Sequence, residues 1–427
     1  MLFPIRRWYS VVLSVIATST LLNSGADSFA GDWPQILGPQ RSGVAASDET
    51  LLKEWKAGGP EVLWETPVGP GFAGAAVAGN RAIMFDREAT RERVRCLDAA
   101  SGNVLWENGT KTSYQGGVSE DKGPRCVPLI SGNFVITLGV EGLLRCLKLE
   151  DGTEVWKRDT TADFRPLEGY FGVGSTPVVY KNLVIVNVGG KDASIVAFDL
   201  STGETVWKAF TDNASYSSPI VARFGEKDLA VVVTRLHVVG LEPTTGKQVF
   251  SISFGARGPT VNGATPVVTK NRIFLSSSYN IGSLLLECDG ETAKETWRDE
   301  EFLATQYATP VSSSTNDSVF FAVDGRQDAG RGTCSLKCLD LASHKVLWEE
   351  SAFDYGTLLR VNKDVLFLTC TGELIRFEDN AGSFKERSRS TVLQPTDRGY
   401  RLPAISGGRL FIRDDETLKA LAIGPTK

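Results

Sequence analysis

The chain has 427 residues, 42% of them hydrophobic and 23% charged, with 43 glycines and 18 prolines, a composition that excludes a disordered or fibrous protein. A formal charge of −5 leaves no cationic excess to neutralise phosphates, which argues against nucleic acid or anionic lipid as a general partner. Two histidines argue equally against a histidine-rich metal site or a histidine-based catalytic triad. Arg6 and Arg7 precede an apolar run from Trp8 to Leu22 that ends at Ser28-Phe29-Ala30. Residues 1–30 therefore read as a secretory signal cleaved after Ala30, its apolar stretch falling short of the ~20 residues that span a bilayer. Export places the mature protein in the periplasm or outside the cell.

Residues 31–60 read as an N-terminal extension, and 61–427 as one repeat domain. Near its start, Gly69-Pro70-Gly71-Phe72-Ala73-Gly74 has dinucleotide-binding spacing, but a strand follows where the phosphate site needs a helix N-terminus. Beyond it one unit recurs: a strand, a tight Gly turn and a strand ending in Trp. The clearest copy is Ala197-Phe198-Asp199-Leu200-Ser201-Thr202-Gly203-Glu204-Thr205-Val206-Trp207. The terminal aromatics stand at 106, 156, 207, 250, 297 and 348, spacings of 50, 51, 43, 47 and 51. Upstream of each lies a second strand pair, often opened by Pro, as at Pro128, Pro177, Pro219, Pro266 and Pro310. Four short strands per period of this length predict the blades of a propeller.

Eight blades are expected. Six end at those aromatics, a seventh runs from about 349 to 386, and an eighth begins at Leu402-Pro403-Ala404 but lacks its last strand. Glu61-Val62-Leu63-Trp64 has the sequence of that missing strand, so residues 61–64 are expected to pair with 418–423 and leave no open sheet edge. The fold class is thus all-β, an eight-bladed β-propeller closed by its two termini. No useful helical periodicity is present outside the signal. The turn glycines admit a flat indole against the backbone, so Trp64, Trp106, Trp156, Trp207, Trp297 and Trp348 are expected to staple each blade to its neighbour.

The Ala-x-Asp-x-x-Thr-Gly-Glu-x-x-Trp run at 197–207 resembles the tryptophan-docking motif of pyrroloquinoline quinone repeat propellers, over nearly the whole mature chain. That family includes quinoprotein alcohol dehydrogenases and a non-enzymatic lipoprotein of the outer-membrane barrel-assembly machinery. Asp32-Trp33-Pro34, Gly38-Pro39 and Arg41-Ser42-Gly43 look most like secreted bacterial propellers of this family. The resemblance implies either a binding or scaffolding platform without catalysis or, alternatively, a quinone-dependent dehydrogenase with pyrroloquinoline quinone and Ca²⁺ at the channel mouth. In the enzymes the quinone lies between a Trp floor and a disulfide of adjacent cysteines. The seven cysteines here, at 96, 126, 146, 288, 334, 338 and 370, include no adjacent pair. A hydrolase or lyase ranks behind both, given the two histidines. The platform is the expected function, with no catalytic residue, no metal site and no cofactor.

One set of residues suggests a ligand site. Three residues ahead of each innermost strand stand Ala73, Arg125, Gly174, Tyr216, Gly263, Tyr307, Tyr355 and Tyr400. At the mouth of a propeller channel these converge, so Arg125, Tyr216, Tyr307, Tyr355 and Tyr400 are candidate contacts for a protein or for a planar, anionic or glycan-like ligand. Arg398 and Arg401 beside Tyr400 favour an anionic one.

Overall fold

The structure is a computed structural model; it describes residues 31–426 except 57, 119, 168, 259 and 395–401. The expected signal at 1–30, and Arg398, Tyr400 and Arg401, lie outside the described residues. Eight four-stranded antiparallel sheets follow one another. Blades I to VII run Ala76–Lys111, Leu129–Asp159, Val178–Ala209, Ile220–Ser253, Val267–Asp299, Val311–Phe353 and Gly356–Thr391. Blade VIII takes three strands from Ala404–Ala422 and its outermost from Glu61–Pro67. That strand pairs from Glu61 with Ala422 to Pro67 with Thr417, so the ring closes where the sequence places it and extends three residues further. Blade VII differs from expectation at both ends. The outer strand of blade VI continues past Trp348 to Phe353, and the degenerate outer strand of blade VII reaches Thr391. A single helical turn, Thr160–Phe164, is capped by Asp159, which accepts from Ala162 N–H at 2.9 Å. Five residues are too few for periodicity to reveal.

Four of the six expected staples share one geometry. Trp64, Trp106, Trp156 and Trp207 each donate their indole N–H to a carbonyl in the next blade's turn, those of Ala99, Leu149, Leu200 and Pro243, at 2.8–3.1 Å. Their rings lie on Gly102, Gly152, Gly203 and Gly246, where an added Cβ would come within 2.4–2.7 Å of the indole. Those glycines have φ between 72° and 74°, so sterics and backbone both demand glycine. Cys96, Cys146, Ala197 and Cys338 pair directly with Trp106, Trp156, Trp207 and Trp348, and the three thiols there are fully buried and free. They are small residues under an indole. One feature was not legible: every outer strand slips register one residue before its aromatic position, leaving Leu105, Val155, Val206 and Leu347 as bulges.

Residues 31–56 are more than an extension. Trp33 bridges Val77 of blade I, Pro34 O accepts from Ile130 of blade II, and Val44 bridges Arg360 of blade VII. Arg41, 4% exposed, donates to the carbonyls of Thr176 and Pro219, at 3.1 and 2.7 Å, and to that of Pro177. Desolvation lowers its pKa to about 9, still a cation at neutral pH. Asp32 Oδ1 and the Glu49 carboxylate accept from Gly79, Gly407 and Gly408, in the hairpins that end the innermost strands. The segment thus crosses the channel at the face where those strands end.

Candidate functional site

The innermost strands begin at the opposite face, where the connections between blades and the hairpins between middle strands gather. Among the described residues, neighbouring register positions come into contact. A Cβ on Gly174 would stand 2.9 Å from Tyr216 and 3.3 Å from Arg125, and one on Gly263 would stand 2.8 Å from Tyr307. Tyr307 and Tyr355 pack edge to face with centroids 4.6 Å apart.

Their polar groups, however, are engaged within the fold. Tyr355 is 1% exposed; its hydroxyl accepts from the N–H groups of Tyr307 and Ala308, both at 2.8 Å, and bonds Thr305 at 2.7 Å. Burial pushes its pKa far above the ordinary phenol value. Tyr216 accepts from Phe171 N–H at 2.8 Å, and burial pushes its pKa up to about 12. Tyr307 donates to Gln327. Arg125 pairs with Asp121 at 3.4 Å and lies over the rings of Phe72 and Phe171, 5.2 and 5.9 Å from their centroids. These side chains tie each interblade connection to its neighbour.

Beside Tyr216 opens a cavity of about 510 Å³ between blades II, III and IV. Val140, Glu141, Leu167, Tyr170, Asn187 and Arg235 contribute to its wall. Arg235 donates to the carbonyls of Gly258 and Thr260 and lies over the Tyr170 ring at 5.5 Å. Tyr170 O accepts from Val118 N–H, joining two interblade connections. The rim is apolar and open at Leu167, 73% exposed, and Tyr170, 39% exposed, and Val118, 75% exposed, adjoins it through its bond to Tyr170. Sequence reasoning missed these residues because they lie outside the repeat register; the signal was the length of connections 112–128 and 160–177, which hold Tyr114, Tyr170 and Phe171.

A buried carboxyl borders this region. Glu92, 2% exposed, accepts from Val140 N–H at 2.8 Å, and burial pushes its pKa up to about 7 despite Arg87 and Arg145 nearby. Glu141 accepts from Thr112 and Ser113, which hold its carboxyl below the ordinary value against the opposing effect of burial.

The residues present do not fit a quinone site. Six tryptophans lie on outer strands, Trp33 and Trp55 belong to the segment at the far face, and none of these eight supplies a floor at the mouth. All seven cysteines are free, and among the described residues no group of three His, Cys, Asp or Glu side chains converges as metal ligands would.

Comparison with known proteins agrees with the architecture. A protein from Kangiella koreensis called outer membrane protein assembly factor BamB is 22% identical over 188 residues, 44% of each chain. Quinohemoprotein alcohol dehydrogenase ADH IIB of Pseudomonas putida is 28% identical over 130 residues, 28% of this chain and 17% of that one. The match therefore spans less than half the length of either relative. Among solved structures, quinohemoprotein alcohol dehydrogenase from Comamonas testosteroni superposes with a TM-score of 0.65 at 14% identity, covering 95% of this chain and 82% of that one. BamB from Moraxella catarrhalis gives 0.57 at 14% identity, covering 84% and 97%. At such identities the shared property is the fold. Residues 90–324, more than half of the chain, match the family described as outer membrane protein assembly factor BamB, and with its stapled eight-bladed ring the chain belongs to that family.

Proposed function

We propose that the protein is an exported, non-enzymatic binding platform whose cavity between blades II, III and IV receives an apolar side chain from a segment of a partner protein. The observation that carries this reading is the rim: Leu167 and Tyr170 expose apolar surface at a concavity of about 510 Å³, and the exposed Val118 adjoins Tyr170. Exposed apolar groups gathered around a cleft are characteristic of protein docking sites. The Arg125–Asp121 pair and the Tyr216 and Tyr355 hydrogen bonds hold that face rigid, which lowers the ordering cost of binding. The assembly-factor name of the family favours the same reading. Among the described residues no helix is long and apolar enough to cross a membrane.

A peptide library in solution tests the reading, with wild type compared against Leu167→Asp. Binders selected on wild type are expected to lose at least tenfold in affinity on that variant, about 1.4 kcal/mol. Binders indifferent to it would remove the cavity from the proposal. The rival is quinone-dependent alcohol oxidation at the same mouth. Stoichiometric uptake of pyrroloquinoline quinone with Ca²⁺ and dye-linked turnover would replace the platform reading with that one.

A further inference from the structure

Glu49 is 2% exposed in the segment that crosses the channel. Its Oε1 accepts from Gly407 N–H at 2.6 Å and its Oε2 from Gly408 N–H at 2.9 Å, and among the described residues no Lys, Arg or His side chain pairs with it. Two amide dipoles hold the oxygens without neutralising the charge, and a desolvated carboxylate without a counter-ion is costly. The nearby cation on the same hairpin, Arg409, donates instead to Gly407 O at 3.2 Å.

Gly31 lies against this carboxylate. A Cβ built there would stand 2.6 Å from Glu49 Oε1 and 3.5 Å from Gly407 N. The nitrogen of Gly31 shares that Cα and lies about 2.5 Å from the Cβ position, so it is no more than about 5 Å from the oxygen. Immediately after it the chain is fixed, by Asp32 accepting from Gly79 and by Trp33 pairing with Val77. Any side chain at 31 would meet the carboxylate.

We propose that the bond between Ala30 and Gly31 is the processing site and that the α-ammonium released on Gly31 is the counter-ion of the buried Glu49 carboxylate, locking the N-terminal segment across the channel. A signal peptidase adds water across the amide: the C–N bond breaks, Ala30 leaves as a carboxylate, and the Gly31 amine takes a proton. An uncharged N–H is replaced by a cation with three donors. Processing thereby supplies the charge that the folded site lacks, and the segment is held more firmly in the processed chain than in its precursor.

The test uses the exported full-length protein. N-terminal sequencing and intact mass are expected to give Gly31 as the first residue. The Gly31 amine, followed by the NMR shift of labelled Gly31 Cα against pH, is expected to titrate about one unit above the ordinary value near 8 and to return to it in Glu49→Gln. A raised amine pKa means stability fully present below about pH 8 and lost as pH rises through the folded value. Should Glu49→Gln fail to fold, a chain retaining Ala30 before Gly31 serves instead: it is expected to melt below the processed protein at pH 7 and together with it above pH 10. A different mature N-terminus, a Gly31 amine titrating near 8 in wild type, or equal melting of processed and extended chains at pH 7 would each overturn the proposal.

Discussion

Two arcs of the ring use different chemistry for the same joint. From blade VIII round to blade IV, Trp64, Trp106, Trp156 and Trp207 each lie on a glycine and donate to a turn carbonyl. From blade IV to blade VI the pattern breaks. Phe250 replaces the tryptophan, and Trp297 meets His344 instead of glycine. His344 takes the left-handed conformation at φ 54° and stacks its imidazole on the indole, 4.1 Å between centroids and 17° between planes. Its Nε2 stands 3.0 Å from Asp299, while Trp297 Nε1 finds no acceptor among the described residues. The difference teaches that the joint needs a flat contact on the indole face. The indole hydrogen bond is dispensable where a second ring and a carboxylate take over.

The largest effect should come from breaking the regular arc. Trp207→Ala removes a side chain 8% exposed and its bond to Pro243, and should cost about 3–5 kcal/mol, read as a large fall in the denaturation midpoint. An unchanged midpoint would show that the staples do not hold the blades. A second contact in the same arc, Glu92 against Val140, gives an intermediate effect that depends on pH. A carboxyl raised from 4.5 to about 7 in the folded state contributes stability that is present below pH 4.5 and lost as pH rises through 7. Relative to Glu92→Gln, the wild type should therefore lose on the order of 3 kcal/mol across that window. Parallel stability curves for the two proteins would refute a neutral Glu92. The smallest effect belongs to the irregular arc: His344→Gly relieves a strained φ but loses the stack, so stability should change by no more than about 1 kcal/mol. A loss as large as that of Trp207→Ala would mean that the imidazole, rather than the indole, carries that joint.

Much of this was legible in the sequence. The recurring glycine and tryptophan show blade number, ring closure and staples, because each joint is built from two residues at fixed spacing in adjacent repeats. The register of Arg125, Tyr216, Tyr307 and Tyr355 was legible too, but the direction of their polar groups was not. Whether a phenol faces a channel or a neighbour's backbone depends on loops from other blades, as Phe171 and Ala308 show. The cavity rim escaped for the same reason: Leu167 and Tyr170, and Val118 beside them, belong to connections that follow no period.

The sequence by itself determined the wheel. Local turn chemistry and alternating apolar strands specify each blade, and repetition leaves closure as the way to remove sheet edges. Tertiary structure decided what happens at the two ends of the channel. There Arg41 reaches carbonyls just ahead of blades III and IV, more than a hundred residues away along the chain, and Glu49 reaches the last blade's inner hairpin. Such contacts join segments with no shared spacing, so they exist only once the ring has brought its circumference together.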